Sequence, residues 1–140
     1  MMHCDIFQTP FGWVGIAATE QGVCRIVLPR NNWDAVEKEL HRSARGAQRT
    51  EEATPAVSRI ITESKKLLKK YFSGKGVSFD LVLDLRYYTA FQQKVWHAVA
   101  TIPYGETRSY ASIAAMIANP KAVRAVGQAM GANPVPLLIP

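Results

Sequence analysis

The stretch with the most distinctive chemistry in this chain runs from Asn119 to Asn133, NPKAVRAVGQAMGAN. Ala122, Ala125, Gly127, Ala129 and Gly131 leave a helical segment almost without side-chain bulk. Beyond its opening Lys121, Arg124 is the one long charged group on it. A helix stripped in this way lets its backbone come close to another backbone. Two partners would use that: a neighbouring helix, or a DNA groove with the arginine projecting into the base stack. A second short helix is expected just upstream, from Tyr110 to about Ile117, opened by Ser109. Asn119-Pro120 joins the two as a tight turn, with Asn119 capping the second helix and Pro120 in its first turn. The order is that of a helix-turn-helix.

Nucleophiles and metal ligands are scarce. Cys4 and Cys24 are the only cysteines, too few for a disulfide framework, so a reducing compartment is expected. His3, Cys4 and Cys24 could meet on adjacent strands, yet a closed zinc site wants four ligands. No metal and no diffusible cofactor is expected. Asp5, Asp80 and Asp84 show no metal-binding spacing that would suit a nuclease, and His41 and His97 earn no role.

The elements that must position these residues fall into two parts. Short apolar runs at Ile6-Phe7, Trp13–Ala17 and Val23–Leu28, separated by Thr9-Pro10-Phe11-Gly12 and Glu20-Gln21-Gly22, predict an antiparallel strand ladder. A helix is expected from Asn32 to about Ser43 with Val36 and Leu40 on one face. An exposed loop follows over residues 45–54. Thr54-Pro55 opens a longer helix, which Gly74 stops. The alternation Val77–Leu83 predicts a further strand. Thr89 with Gln92 forms a capping box ahead of Val95, Trp96 and Val99. The expected fold is α/β: a small α/β domain over residues 1–86 and a helical domain over residues 87–140, ending in an extended apolar tail.

Composition narrows the class. At 48% hydrophobic and 20% charged, the 140 residues can bury a core and are neither disordered nor fibrous. No apolar run approaches membrane-spanning length and the N-terminus lacks a signal-peptide pattern, so a soluble cytoplasmic protein is expected. The formal net charge of +6 is uneven. Residues 1–85 hold twelve basic and ten acidic side chains, whereas residues 86–140 hold five basic ones against Glu106 alone. That is the balance of a surface that lies against phosphates.

Together, Ile102-Pro103-Tyr104-Gly105-Glu106-Thr107, Ser109-Tyr110, Asn119–Gly127 and Asn133–Pro140 resemble the O6-alkylguanine-DNA alkyltransferase family, the methylated-DNA–protein-cysteine methyltransferases. The likeness is dense over about fifty residues. Thr9–Gly12 and Glu20–Gly22 are similar, more loosely, to the family's ribonuclease-H-like N-terminal domain. The resemblance implies direct-reversal DNA repair. Duplex DNA carrying O6-alkylguanine would be bound, the base flipped, and its alkyl group taken onto the protein's own nucleophile in one turnover. It implies that Arg124 fills the gap left by the flipped base and that Tyr110 crowds the phosphate 3′ of the lesion. Lys121, Ala122, Ala125 and Gly127 would line the DNA-facing helix. Asn133 would brace the active-site backbone, and Met130, Val135 and Pro136 would wall the base pocket. Some members also carry an N-terminal structural zinc, for which His3, Cys4 and Cys24 are the candidates here.

The family's acceptor cysteine lies in a Pro-Cys-His-Arg motif, and the sequence reaches Pro140, that motif's first residue. Neither Cys4 nor Cys24 can replace it, so residues 1–140 alone are expected to be inactive. A UGA codon at position 141, read as a stop or as selenocysteine, would explain the break. A complete protein is expected to be a monomer. A truncated one would leave Leu137, Leu138 and Ile139 uncovered and prone to association. Two further readings remain open: a non-catalytic alkyltransferase-like lesion binder and an inactive remnant.

Overall fold

The computed structural model describes residues 1–42, 50–103 and 105–139. The chain divides into two compact units: Met1–Tyr87 with Pro134–Pro136, and Tyr88–Asn133 with the residues from Leu137 on.

The first unit is built on three antiparallel strands in sequential order, β1 (His3–Thr9), β2 (Gly12–Thr19) and β3 (Gly22–Arg30). Both connections are the tight turns that the sequence predicts. At Gly22 the backbone sits at φ +144°, and a Cβ there would collide with the Val82 carbonyl. Val14, Ile16, Val23, Ile26 and Val27 fill the core between the sheet and its helices. Helix α1 (Trp33–Arg42) buries Val36 and Leu40 against β2 and β3, and Asn32 Oδ1 accepts from the Ala35 amide at its start. The expected end of that helix at Ser43, and residues 45–49 of the expected loop, lie outside the described residues. Helix α2 (Pro55–Phe72) starts as read: the Thr54 hydroxyl accepts from the Val57 amide and Pro55 occupies the first turn. Val57, Ile61, Ser64 and Leu68 form its buried face, and Gly74 at φ +85° follows its end.

The strand expected at Val77–Leu83 is not one. Its alternation is real, since residues 77, 79, 81 and 83 are half-buried while 78, 80 and 82 are exposed. Pairing is confined to one bridge between Leu83 and Val23, with Val23 N donating to Val82 O and Asp84 N to Val23 O. A period of two reports an extended backbone with one covered face, and says nothing of a partner along its edge.

That bridge delivers Asp84 into the core. Its carboxylate is almost fully buried, accepts from the Thr19 hydroxyl, and takes two hydrogen bonds of 2.8 Å from the Arg86 guanidinium. The Arg86 bonds hold the carboxyl below its ordinary range; burial opposes them and Thr19 assists.

In the second unit, α3 (Ala90–Ala100), α4 (Tyr110–Met116) and α5 (Val123–Gly131) pack on one another. Helix α3 opens with the reciprocal Thr89–Gln92 capping box. Trp96 is fully buried; its Nε1 donates to Ala129 O at 2.9 Å, and its ring meets Tyr88 edge-on at 5.0 Å. Helix α4 is capped by Ser109, whose hydroxyl accepts from Ser112 N at 3.0 Å.

Two readings of this unit need correction. Helix α5 begins at Val123, several residues later than expected, and its N-cap is Ala122 rather than Asn119. The intervening residues are taken by the turn: Ala118 adopts φ +59°, Asn119 N donates back to Ala114 O, and Asn119 O receives Ala122 N. Asn119 therefore closes the turn and is not a cap. The tail is a tight turn rather than an extended segment, with Leu137 at φ +77°. Ile139 is buried and Leu137 and Leu138 are half-buried, so these three are not the uncovered surface that truncation was expected to create.

Because the folded Asp84 carboxyl sits below its unfolded value, its stabilisation is complete above the ordinary carboxylate range. It is lost as pH falls through the folded value. Thermal melts should show wild-type stability dropping below about pH 4. Asp84→Asn should be less stable at neutral pH and lose part of that acid sensitivity. An unchanged acid profile would remove Asp84 as its source.

A candidate DNA-facing site on helices α4 and α5

Burial along α5 separates its two sides. Val126 and Ala129 are buried, Ala122, Ala125, Gly127 and Met130 are half-buried, and Lys121, Val123, Arg124 and Gln128 are exposed. Ala129 seats the helix in its own unit, while the open side, bearing Ala125 and Gly127, stays low in profile. Arg124 stands on that open side. A Cβ added at Gly127 would meet the Tyr110 ring at 3.2 Å. The ring therefore lies across α5 one turn beyond Arg124, while half of Tyr110 remains exposed. The structure thereby brings together Tyr110 and Gly127, with Arg124 exposed on the same helix one turn earlier.

The segment after α5 is anchored at two points. Pro134 O accepts from Ile26 N at 2.8 Å and from Arg25 Nη1 at 3.1 Å. Asn133 Nδ2 donates to Ile139 O at 2.7 Å, closing the turn whose centre is the left-handed Leu137. Val135 is fully buried and Pro136 half-buried, both in the first unit, whereas Met130 belongs to the second. An open cavity of about 640 Å³ in the first unit is lined by His3, Thr19, Glu20 and Arg86 among others; none of Met130, Val135 and Pro136 lines it.

Arg25 and Glu39 were missed by sequence reasoning. Arg25 is the lone charge in the apolar run of β3, and that misfit was the available signal. Glu39 of α1 pairs with Arg25 at 3.5 Å and with Arg30 at 2.8 Å.

Cys24 is placed as a core residue and not as a reactive thiol. Cys24 is buried and its thiol is pushed up to about 12, first by burial and then by the charges of Asp84 and Cys4. Thiolate is the form that attacks and that binds metal. His3 Nδ1 is 3.0 Å from Thr50 O, and among the described residues no group of three ligands comes together.

A small α/β scaffold joined to a helix-turn-helix unit is the class that this fold and site define. Residues 2–85 match the model of the 6-O-methylguanine DNA methyltransferase ribonuclease-like domain. Residues 90–140 match that of the 6-O-methylguanine DNA methyltransferase DNA binding domain. The chain is 42% identical over 144 residues to the constitutive methylated-DNA–protein-cysteine methyltransferase of Bacillus subtilis, covering all of this chain and 78% of that protein. It is 36% identical over 141 residues to the Methanosarcina barkeri methylated-DNA–protein-cysteine methyltransferase, covering 99% and 79%. The crystal structure of Mycobacterium tuberculosis OGT in complex with DNA superposes with a TM-score of 0.72 at 33% identity, covering 99% of this chain and 75% of that one. The chain belongs to the 6-O-methylguanine DNA methyltransferase family.

Two outcomes check this geometry. A thiol reagent at pH 8 should leave Cys24 unmodified in the folded protein and modify it on unfolding; rapid labelling of the native state would contradict the burial argument. Gly127→Ala should leave thermal stability level or raise it by up to about 1 kcal/mol, because alanine is the better helix former and the half-exposed Tyr110 ring can move aside. A loss of more than that would mean the ring is fixed.

Proposed function

We propose that the protein repairs O6-alkylguanine in duplex DNA by direct reversal, with α4 and α5 as the elements that meet the DNA. The observation that carries this reading is the Tyr110 ring lying over Gly127 on the open side of α5, where Arg124 is free to project. Small residues let the helix sink toward the bases. The planar, always charged guanidinium can then occupy the space that a flipped guanine leaves. Tyr110 crowds the neighbouring phosphate, and Lys121, beside the start of α5, pairs with the backbone.

Residues 1–86 serve as the scaffold and residues 87–140 as the DNA-directed part. Within the latter, Asn133 holds the turn ahead of the family's Pro-Cys-His-Arg position, and the low-pKa nucleophile belongs directly after Pro140. There the thiolate sulfur attacks the alkyl carbon in line, the bond to O6 breaks, and guanine keeps the electron pair and takes a proton. The protein is its own acceptor and needs no diffusible cofactor. Met130, Val135 and Pro136 would shape the pocket for the flipped base. No described helix is long and apolar enough to cross a membrane, and a cytoplasmic setting suits two cysteines that form no disulfide.

Flipping is read directly by a fluorescent base placed next to O6-methylguanine in a duplex. Arg124→Ala should reduce the flipped population about tenfold, equivalent to about 1.4 kcal/mol, without lowering the melting temperature. Lys121→Gln should instead weaken plain and lesion duplexes alike and flatten the slope of log affinity against log salt by about 0.9. Normal flipping by Arg124→Ala would remove the main support for this function.

A further inference from the structure

Lysines crowd the second half of α2. Lys65, Lys66, Lys69, Lys70 and Lys75 stand between Glu63 and Asp80 with no acidic residue among them. Lys65 with Lys69, and Lys66 with Lys70, are four apart on the helix, where like charges repel. The helix dipole favours cations in the last turn, which accounts for Lys69 and Lys70 and leaves the earlier pair unexplained. Among the described residues, Asp5 is the one carboxylate paired with any of the five, holding Lys65 at 2.8 Å. Lys66, Lys69, Lys70 and Lys75 are exposed.

Beside them lies an aromatic strip that the fold does not need to show. Phe11, in the turn between β1 and β2, is 71% exposed. The turn itself is satisfied without it: the Thr9 hydroxyl donates to Gly12 O and accepts the Phe11 amide. The Phe11 ring meets Phe72 at 6.1 Å, Phe72 meets Tyr71 at 5.2 Å, and Tyr71 meets Phe79 at 5.7 Å. Tyr71 is also exposed. The Lys65 and Lys69 ammonium groups sit 5.5 and 5.7 Å from the centroid of the Phe7 ring. Phe7 is buried, so the open ring faces are those of Phe11 and Tyr71, which lie on the β1–β2 turn and on α2, the helix that carries Lys65, Lys66, Lys69 and Lys70.

A second copy of the chain would bring like charge against like charge there. A duplex offers phosphates but keeps its base faces stacked away from the rings. A single strand offers both. We propose that Phe11, Tyr71 and the α2 lysines form a second nucleic-acid contact, which takes an unpaired strand by stacking bases on the rings and pairing phosphates with Lys66, Lys69 and Lys70. This contact is separate from the lesion site on α4 and α5 and does not depend on that reading.

The test is oligothymidine binding by the full chain carrying Arg124→Ala, which weakens the other DNA surface. Phe11→Leu and Phe11→Ser should each weaken oligothymidine binding about tenfold. Leucine keeps the apolar contact with Phe72 but has no π face, so it separates stacking from simple apolar docking. Lys66→Gln with Lys70→Gln should reduce the slope of log affinity against log salt by about 1.4, two phosphates at the single-strand value. Lesion-duplex flipping, measured with Arg124 intact, should be unchanged in all these variants. Unaltered oligothymidine affinity and salt slope in folded variants would overturn the proposal, as would Phe11→Leu binding like wild type while Phe11→Ser does not. Failure of the lesion-site reading would show instead in the Arg124 flipping assay, which these variants leave untouched.

Discussion

One carbonyl oxygen sets the path of the chain at its most important stretch. Pro134 O receives two donors from β3, the Ile26 amide and the Arg25 guanidinium. A hydrogen bond to a charged donor contributes about 1.5–3 kcal/mol, and the Arg25 side chain is only 20% exposed, so water competes weakly for it. Glu39 steadies the same guanidinium and also binds Arg30. With Pro134 held on the sheet, the following residues can reverse through the left-handed Leu137, and Asn133 closes the turn on Ile139.

Local chemistry made much of this fold legible. Thr54-Pro55 and the Thr89–Gln92 box mark helix starts because each satisfies amides that the helix itself cannot. The three strands and their turns read correctly for a similar reason: glycine at positive φ and short apolar runs leave little choice. Partnership was not legible. Val77–Leu83 has the period of a strand, yet its neighbour along the chain edge is a single residue, Val23. The start of α5 was misplaced because Asn119-Pro120 suits a cap equally well as a turn. Only the left-handed Ala118 decides between them.

The site was legible by residue type and less so by setting. Arg124 and Tyr110 stand out in a stretch of small residues, and the approach of the Tyr110 ring to Gly127 follows from the packing of α4 on α5. Arg25 gave only the signal of a charge in an apolar strand, and its purpose shows only when Pro134 is seen beside it. Cys24 illustrates the reverse case. It is a nucleophile by residue type, yet burial and neighbouring negative charge keep it protonated. Buried among β-strand residues, Cys24 is set up as part of the core of the first unit.

The most direct test is a peptide map of the protein from its native source after incubation with an O6-methylguanine duplex. The account predicts one alkyl group per chain, on the residue directly after Pro140, with Cys4 and Cys24 unmodified. An alkyl group on Cys4 or Cys24, or loss of the lesion with no alkyl on the protein, would contradict it.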